Sequence, residues 1–205
     1  DTKSYRRFME KRRPLFVVCS ALLIALGSYG IYKMIPEQPK VVVQKQEFSY
    51  KQAKNETQLM KNIYNKLKIA FDNEKEEEVY KLVGSYFAVD YFNLTNKNID
   101  EIGGIDYFYQ DKKDNFMTYA KEDYYKDVNS LIENNTNTQE VVDYTILSYG
   151  ESTIALEDLE DYSYYDVKLL IEFNEYNEIL ADNELEVTIH MIKKSQKYSV
   201  VSIDY

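Results

Sequence analysis

Apolar residues follow two different spacings along the chain beyond residue 55. Between Thr57 and Ile132 they recur every three or four positions, which is the spacing of amphipathic helices. Between Val142 and Tyr205 they alternate with polar residues, which is typical of strands with one buried face. Helices that precede strands, without the alternation of a parallel sheet, predict an α+β domain.

Three helices are predicted in the first part of this domain, over residues 57–71, 75–92 and 115–132. Asn73 and Glu76 have the spacing of a capping box at the start of the second helix. Asp114 is expected to cap the third helix. The apolar side of each helix must then be buried against another element.

Four strands are predicted in the second part, and together they form one curved antiparallel sheet of about four strands, covered by the helices. A polar turn over residues 193–197 separates the last two strands. The residues predicted to face the core are Val142, Tyr144 and Ile146 in the first strand, Val167, Leu169, Ile171 and Phe173 in the second, and Leu185, Val187, Ile189 and Met191 in the third.

A long apolar segment precedes this domain. Residues 15–32 contain no charged side chain, and Pro14 and Pro36 bracket the segment. About 20 helical residues cross a hydrocarbon core of about 30 Å, so residues 14–35 are predicted to form a transmembrane helix. A buried core helix would show a polar stripe, which is missing here. A signal peptide is the remaining alternative, although no clear Ala-x-Ala cleavage pattern follows.

The charges beside this segment predict its orientation. Five basic residues lie just before it, and they are Arg6, Arg7, Lys11, Arg12 and Arg13. The positive-inside rule then places a basic tail, residues 1–13, in the cytoplasm. Residues 36–54 are predicted to be a stalk, and residues 55–205 an extracytoplasmic domain. The expected location is the cell membrane, with a single pass and the C-terminal domain outside.

The charge of the remaining chain excludes one class of partner. The whole chain carries a net charge of −10, and residues 1–36 carry seven cations and two anions, so the rest carries −15. Such a domain is repelled by nucleic acid. The one cysteine, Cys19, lies in the apolar segment, so the domain has no disulfide, which favours a bacterial protein.

Few residues suggest chemistry, and no catalytic residue, metal ligand or cofactor site is predicted. His190 is the only histidine, and alternation places it on the polar face of its strand as a surface residue. Two acidic stretches, residues 72–78 and 156–166, lack the spacing of a calcium loop. The second contains a candidate interaction patch formed by Tyr162, Tyr164 and Tyr165.

Gly103 and Gly104 form the chain's one glycine pair. They predict a turn that needs a positive φ. A phosphate cradle is not indicated, because no Gly-x-x-x-x-Gly-Lys pattern is present.

Three helices followed by a curved antiparallel sheet, over residues 57–205, resemble the cone-shaped fold of the nuclear transport factor 2-like superfamily. The stretch FNLTNKNIDEIGGIDYFYQDKKDNF, from Phe92, is similar to a segment of membrane-anchored proteins of Gram-positive bacteria. One cytoplasmic tail, one span and one such domain resemble the bitopic scaffold proteins of Gram-positive conjugative type IV secretion systems. This resemblance implies a non-enzymatic interaction or scaffold subunit of an envelope assembly, whose partners are other envelope proteins or further copies of itself.

The same superfamily also contains enzymes such as ketosteroid isomerase and scytalone dehydratase, which use a pocket inside the cone. The alternative function is therefore binding of a small ligand, or isomerase- or dehydratase-like chemistry, in a tethered pocket. Tyr144 or Tyr119 would then supply a polar group to the pocket. An interior filled by side chains favours the scaffold, and an open cavity favours this alternative.

Overall fold

The computed structural model describes residues 47–153, 156–159, 161–177 and 182–205. The predicted cytoplasmic tail, the predicted transmembrane helix and the stalk up to residue 46 lie outside the described residues, and so do the five basic residues used to predict topology. Within the described ranges, no helix is both long and apolar enough to cross a membrane.

In the described ranges, four α-helices precede the sheet, and they are α1 (Gln58–Asp72), α2 (Glu76–Phe92), α3 (Lys113–Glu122) and α4 (Val128–Glu133). Short 3-10 helices occur at Ile105–Tyr107, Gln110–Lys112 and Glu157–Leu159. Thr57 is the N-cap of α1, and its hydroxyl accepts a hydrogen bond from the Met60 amide at 3.3 Å. The buried side of α1 repeats at the predicted helical spacing and consists of Met60, Ile63, Leu67 and Ala70.

The second helix, α2, is the central element of the core. Every residue from Val79 to Phe92 is buried, and the helix packs between α1 and all four strands. Its apolar side chains each contribute about 1.5–3 kcal/mol by leaving water. The spacing therefore predicted the helix correctly but underestimated its burial, because elements from both sides cover it.

The predicted helix caps at Asn73 and Asp114 are wrong. The Asn73 side chain donates to the Ile69 carbonyl at 2.8 Å, so it ends α1. The cap position of α2 is Lys75, whose side chain makes no capping bond. Asp114 lies within the first turn of α3. The connection between α1 and α2 consists of residues 73–75, and Glu74 within it adopts a φ of 55°.

The third predicted helix is two helices, α3 and α4, separated by a turn. The backbone leaves the helical region at Asp123, with φ and ψ both at −110°. The hydroxyls of Tyr124 and Tyr125 donate to the carbonyls of Phe92 and Tyr91 at the end of α2. These tertiary hydrogen bonds satisfy carbonyls that the end of α2 leaves free, and they explain why the helix breaks where the spacing predicted continuity.

Among the described residues, four antiparallel strands form one sheet in the order β1-β2-β3-β4, which confirms the predicted α+β class. The strands are β1 (Val141–Glu151), β2 (Ser163–Asn177), β3 (Asp182–Lys194) and β4 (Lys197–Asp204). The predicted inward residues of β2 and β3 all belong to the core or pack against it. The helices precede the sheet in the chain, which is the order of elements expected from the resemblance to the nuclear transport factor 2-like superfamily.

The register of the first strand differs from the prediction at one position. Val142 was expected inside, but its side chain is 47% exposed and Val141 is buried instead. The pairing between β1 and β2 shifts between Val141 and Asp143. A bulge of this kind moves the following side chains by one position, so Tyr144 and Ile146 still face the core, where they are half-buried.

A second, smaller apolar cluster covers part of the other face of the sheet. It consists of Tyr109, Leu159, Tyr164, Ile192 and Val201. Met191 belongs to the main core and its neighbour Ile192 to this cluster, as expected when successive side chains point to opposite faces. The sheet is therefore buried on both faces around the ends of β3 and β4.

Candidate functional site

The tyrosines of the predicted interaction patch do not share one exposed surface. Tyr164 is 6% exposed, and its hydroxyl accepts from the Leu156 amide at 3.0 Å and lies 3.1 Å from the Leu159 carbonyl. Tyr165 lies in the strand position next to it and packs against the main core. Tyr162 is half-buried beside the second cluster. An interface role for Tyr162 stays a prediction, whereas Tyr164 is a structural anchor of its loop.

Exposed apolar side chains concentrate on strand β1. In the described part of the chain, seven large hydrophobic side chains are exposed, and three of them lie in this one strand. They are Val142, Leu147 and Tyr149, each between 45% and 47% exposed. The Lys81 ammonium lies 4.2 Å from the centre of the Tyr149 ring and helps to hold it. Three exposed apolar side chains in one strand make β1 a candidate contact surface.

The two edges of the sheet are protected differently. At β4, the Tyr109 amide donates to the Val200 carbonyl at 2.7 Å, and Phe108 forms a parallel bridge with Val200. At β1, no strand of the described ranges pairs with the outer side. Strand β1 also contains no Lys, Arg or Pro, the residues that commonly prevent an edge from pairing with another chain. Its protection in the described residues consists of two register shifts and the exposed charges of Asp143 and Glu151.

The surroundings of β1 are acidic. Asp143 and Glu151 are exposed within the strand, and Glu140 and Glu172 are partly exposed beside its start. The nearest cation on the neighbouring strand, Lys168, is already paired with Glu186 at 2.5 Å. The edge therefore combines apolar side chains with negative charge, and it favours a positively charged partner.

His190 is buried, so the expectation of a surface histidine is wrong. It lies on the face predicted by alternation, but it is only 6% exposed. Its Nδ1 lies 2.7 Å from Asp166 and its Nε2 lies 3.0 Å from Asp204. The sequence spacing showed the face of the strand and not the two carboxylates that meet there from β2 and β4.

Two carboxylates at both ring nitrogens favour the charged imidazolium, which donates to each of them. Burial acts to lower the pKa of His190, but the hydrogen bonds to Asp166 and Asp204 outweigh it, and the pKa is raised from 6.5. Both nitrogens are engaged, so the arrangement ties three strands together and leaves no ring nitrogen free to act as a base.

The glycine pair, Gly103 and Gly104, contacts a buried ion pair between Lys97 and Asp90. The Lys97 ammonium is 2.7 Å from one oxygen of Asp90, and the Gly104 amide donates to the other at 2.6 Å. Gly104 has a φ of 71°, which confirms the predicted positive φ. A Cβ at Gly103 would come within 2.0 Å of the Asp90 carbonyl oxygen. These contacts fasten the loop to α2. The Gly104 amide is already bound to the Asp90 carboxylate, so it is not free to bind a phosphate.

A crevice of about 260 Å³ lies between residues 51–54 and the loop over residues 100–107. The Tyr107 side chain lines it, with its ring stacked between Tyr50 and Tyr86 at 5.6 and 4.7 Å. Its hydroxyl is buried and has no hydrogen-bond partner among the described residues. Burial raises the pKa of Tyr107. A small polar molecule would exchange a hydrogen bond with this hydroxyl only if the side chains that cover it move aside.

The tyrosines proposed for a pocket inside the cone do not line this crevice. Tyr119 is 53% exposed on α3, and Tyr144 is half-buried on β1. Neither belongs to the crevice beside Tyr107 nor to a second crevice of about 340 Å³ near Tyr109 and Tyr162. These two tyrosines therefore do not converge on either of these crevices.

The second crevice contains a lysine between two aromatic rings. The Lys194 ammonium lies 5.1 Å from the ring centre of Tyr109 and 5.7 Å from that of Tyr162. Hydrogen bonds to these two hydroxyls raise the pKa of Lys194. The other cation of the crevice, Lys112, is paired with Asp158 at 2.6 Å. Both lysines of this crevice are therefore engaged.

The acidic stretches lie where charge stabilises the fold. Glu76, Glu77 and Glu78 occupy the first turn of α2, where negative charge is favourable at a helix N-terminus. Glu78 also pairs with Lys81 at 2.5 Å. Within the described ranges, no group of three or more acidic, histidine or cysteine side chains has the geometry to hold a metal ion.

Comparison with known proteins leaves the family of this chain open. No family model matches the sequence, and no curated protein matches it. Among solved structures, a protein from Campylobacter jejuni that carries the name NTF2-like transpeptidase matches with 16% sequence identity and a TM-score of 0.23. The match covers 70% of this chain and 94% of that protein.

Proposed function

We propose that this chain is a membrane-anchored, extracytoplasmic interaction subunit that serves as a scaffold in a bacterial envelope assembly. The observation that carries this proposal is the outer edge of β1, which pairs with no strand of the described ranges and whose strand carries the exposed side chains Val142, Leu147 and Tyr149. An exposed strand edge with apolar side chains is a ready site for another chain. The cone-like fold of the nuclear transport factor 2-like superfamily is part of the same proposal.

The membrane part of the proposal rests on the apolar segment and on the basic residues before it. A conjugation or secretion channel is the kind of assembly that the resemblance implies, since its scaffold proteins have this layout. The packing of the interior supports an interaction role as well. Aromatic rings of α2, such as Tyr86, Phe87 and Tyr91, fill the space between the helices and the sheet.

The proposal is tested by site-specific photo-crosslinking of the full-length chain in its native host. A photo-reactive amino acid replaces Leu147 on β1 in one variant and Ile69 on α1 in the other, because both side chains are exposed, at 45% and 62%. We expect envelope proteins, or a second copy, to be crosslinked at position 147 and not at position 69. Equal crosslinking at both sites, or none at 147, would contradict a scaffold that works through β1.

A second candidate function is favoured by one observation: Tyr107 lines a crevice, and its buried hydroxyl has no hydrogen-bond partner among the described residues. A small polar ligand would satisfy this hydroxyl. The test is a thermal-shift screen of small polar molecules against the native chain and Tyr107→Phe. A ligand that stabilises the native chain and loses its effect in Tyr107→Phe supports this function. A ligand that stabilises the native chain and Tyr107→Phe equally would bind at a site other than the Tyr107 hydroxyl.

A further inference from the structure

The buried ion pair between Asp90 and Lys97 holds an amine against a carboxyl group, largely shielded from water. The two side chains are 8% and 1% exposed, and the Lys97 Nζ lies 2.7 Å from Asp90 Oδ1. By contrast, the Lys112 and Asp158 side chains, which are equally close at 2.6 Å, are 26% and 67% exposed. Keeping two charges out of water carries a desolvation cost, which an uncharged product of the two groups would remove.

The glycine pair brings the backbone directly onto these two side chains. A Cβ at Gly103 would lie 2.7 Å from the Lys97 Cε, in addition to its clash with the Asp90 carbonyl oxygen. Glycine at this position therefore lets the loop close over the lysine. At the next position, the Gly104 amide donates to Asp90 Oδ2 at 2.6 Å. A donor fixed on an acyl oxygen in this way stabilises the negative charge that develops there when a nucleophile attacks the carbon.

The lysine nitrogen is positioned from two sides. It donates to Asp90 Oδ1 and, at 2.6 Å, to Asn96 Oδ1. Asn96 is itself held, because its Oδ1 also accepts from the Asn93 side chain at 2.8 Å. A C–O bond is about 1.2 Å long, so Nζ is no more than about 4 Å from Cγ of Asp90. Reacting atoms in near-attack arrangements lie about 3–3.5 Å apart, so only a small movement is needed for the nitrogen to reach the carbon.

We propose that Lys97 and Asp90 condense after folding into an intramolecular isopeptide bond, a modification independent of the scaffold function. The ammonium first gives a proton to Oδ1 along their hydrogen bond. The neutral nitrogen then attacks Cγ and forms the C–N bond, while Oδ2 takes up negative charge beside the Gly104 amide. The bond from Cγ to Oδ1 breaks, and Oδ1 leaves as water with that proton and a second one from the nitrogen. The two charges cancel, the amide keeps one N–H, and no other reactant is required.

The surroundings of the pair favour the amide over the separated groups. Asp90 lines the crevice of about 260 Å³ between residues 51–54 and the loop over residues 100–107, so the released water can leave towards solvent. An uncharged amide then occupies a site where both side chains are buried, which costs less than burying two ions. The bond closes a ring between positions 90 and 97, so the loop after α2 cannot detach from the helix by local unfolding.

The test is the intact mass of the full-length chain, followed by mass spectrometry while the folded protein is incubated. We expect a mass lower by one water molecule. Chymotrypsin then locates the loss, because it cuts after aromatic residues and Tyr91 and Phe92 stand between the two reacting positions. The peptides that contain Asp90 and Lys97 separate in an unmodified chain and stay joined once the isopeptide bond has formed.

Two controls show whether the buried site causes the reaction. Lys97→Arg keeps a positive charge beside Asp90, but a guanidinium stays protonated and is no nucleophile, so this variant should keep its full mass. Lys112 and Asp158 are the control within the same chain, because they are as close as the buried pair but exposed. Their peptides should separate on digestion, and joined peptides at both pairs would show that proximity alone is enough and that the buried site has no special role.

Two further results would overturn the proposal. A folded native chain that keeps its full mass throughout the incubation shows that the pair stays ionic. A loss of water that is confined to one peptide, or that is equal in Lys97→Arg, shows that dehydration occurs elsewhere in the chain. The first measurement uses the native chain, so it does not depend on whether the variant folds. Neither result bears on the scaffold function, which photo-crosslinking at position 147 tests separately.

Discussion

The Lys97 ammonium lies 2.7 Å from the carboxylate of Asp90, and the two side chains are only 1% and 8% exposed. This buried ion pair joins the loop after α2 to the helix itself. The amide of Gly104 donates to the second oxygen of the same carboxylate. The pair therefore organises the loop whose sequence contains the chain's one glycine pair.

Replacing Lys97 with methionine leaves the Asp90 carboxylate buried without its cation. We expect Lys97→Met to lower the free energy of unfolding by about 3–5 kcal/mol, the usual effect of breaking a buried pair. Urea unfolding of Lys66→Met, an exposed lysine on α1, provides the control and should change by less than about 0.5 kcal/mol. If Lys97→Met lowers the unfolding free energy as little as Lys66→Met does, the ion pair between Lys97 and Asp90 does not hold the loop.

An alanine at Gly103 cannot fit without moving the backbone of α2. Because the new Cβ would come within 2.0 Å of the Asp90 carbonyl oxygen, Gly103→Ala should destabilise the fold by about 3 kcal/mol. Gly150 on β1 has no atom within 4 Å of the corresponding position, so Gly150→Ala should be neutral or slightly stabilising. Thermal unfolding of both variants checks this contrast, and a stable Gly103→Ala protein would contradict the close approach.

The contribution of His190 to stability should depend on pH. Its pKa is raised in the folded protein from 6.5, so its stabilising effect is fully present below pH 6.5 and is lost as the pH rises through the folded value. The difference in unfolding free energy between the native chain and His190→Gln should therefore shrink with rising pH above 6.5.

Measurements of urea unfolding between pH 5.5 and about 9 test this expectation, with Asp204→Asn as a second variant. Removing one of the two carboxylates should shift the decline towards lower pH, because one of the causes that raise the pKa is gone. A difference that grows with pH would show that His190 is neutral in the folded protein.

Removing the buried hydroxyl of Tyr107 or of Tyr125 should change the stability of the protein in different ways. The Tyr107 hydroxyl has no hydrogen-bond partner among the described residues, so Tyr107→Phe should be neutral or stabilising by up to about 1 kcal/mol. The Tyr125 hydroxyl accepts from the Gly103 amide at 2.9 Å and donates to the Tyr91 carbonyl. Tyr125→Phe leaves both groups unsatisfied and should cost about 1–3 kcal/mol. If denaturant unfolding shows that both variants lose the same stability, the Tyr107 hydroxyl makes a hydrogen bond in solution.

Much of the fold was predictable because local spacing carries the information. The spacing of α1 and the alternation of β2 and β3 each reflect one buried face, and a buried face repeats with the period of its element. The positive φ at Gly104 was predictable for a similar reason, since only glycine adopts it freely. The break between α3 and α4 was not predictable, because Tyr124 and Tyr125 bind carbonyls of α2 that are distant in sequence.

The candidate surfaces were less predictable than the elements that carry them. The sequence singled out Tyr162, Tyr164 and Tyr165 because they stand together in the chain, but neighbours in a strand face opposite sides. It did not show that the outer side of β1 is unpaired among the described residues, because the order of the strands in the sheet decides which strand lies at an edge.

By itself, the sequence determined the α+β class, the order of helices and strands, the face of the strand on which His190 lies, and the acidic character of the domain. These properties depend on residues close together in the chain or on simple sums of charge. Only the tertiary structure decided that His190 meets Asp166 and Asp204, that Asp90 holds both Lys97 and Gly104, and that no strand in the described part of the chain pairs with the outer side of β1. Each of these depends on which distant segments pack together, and side-chain spacing along one segment does not contain that information.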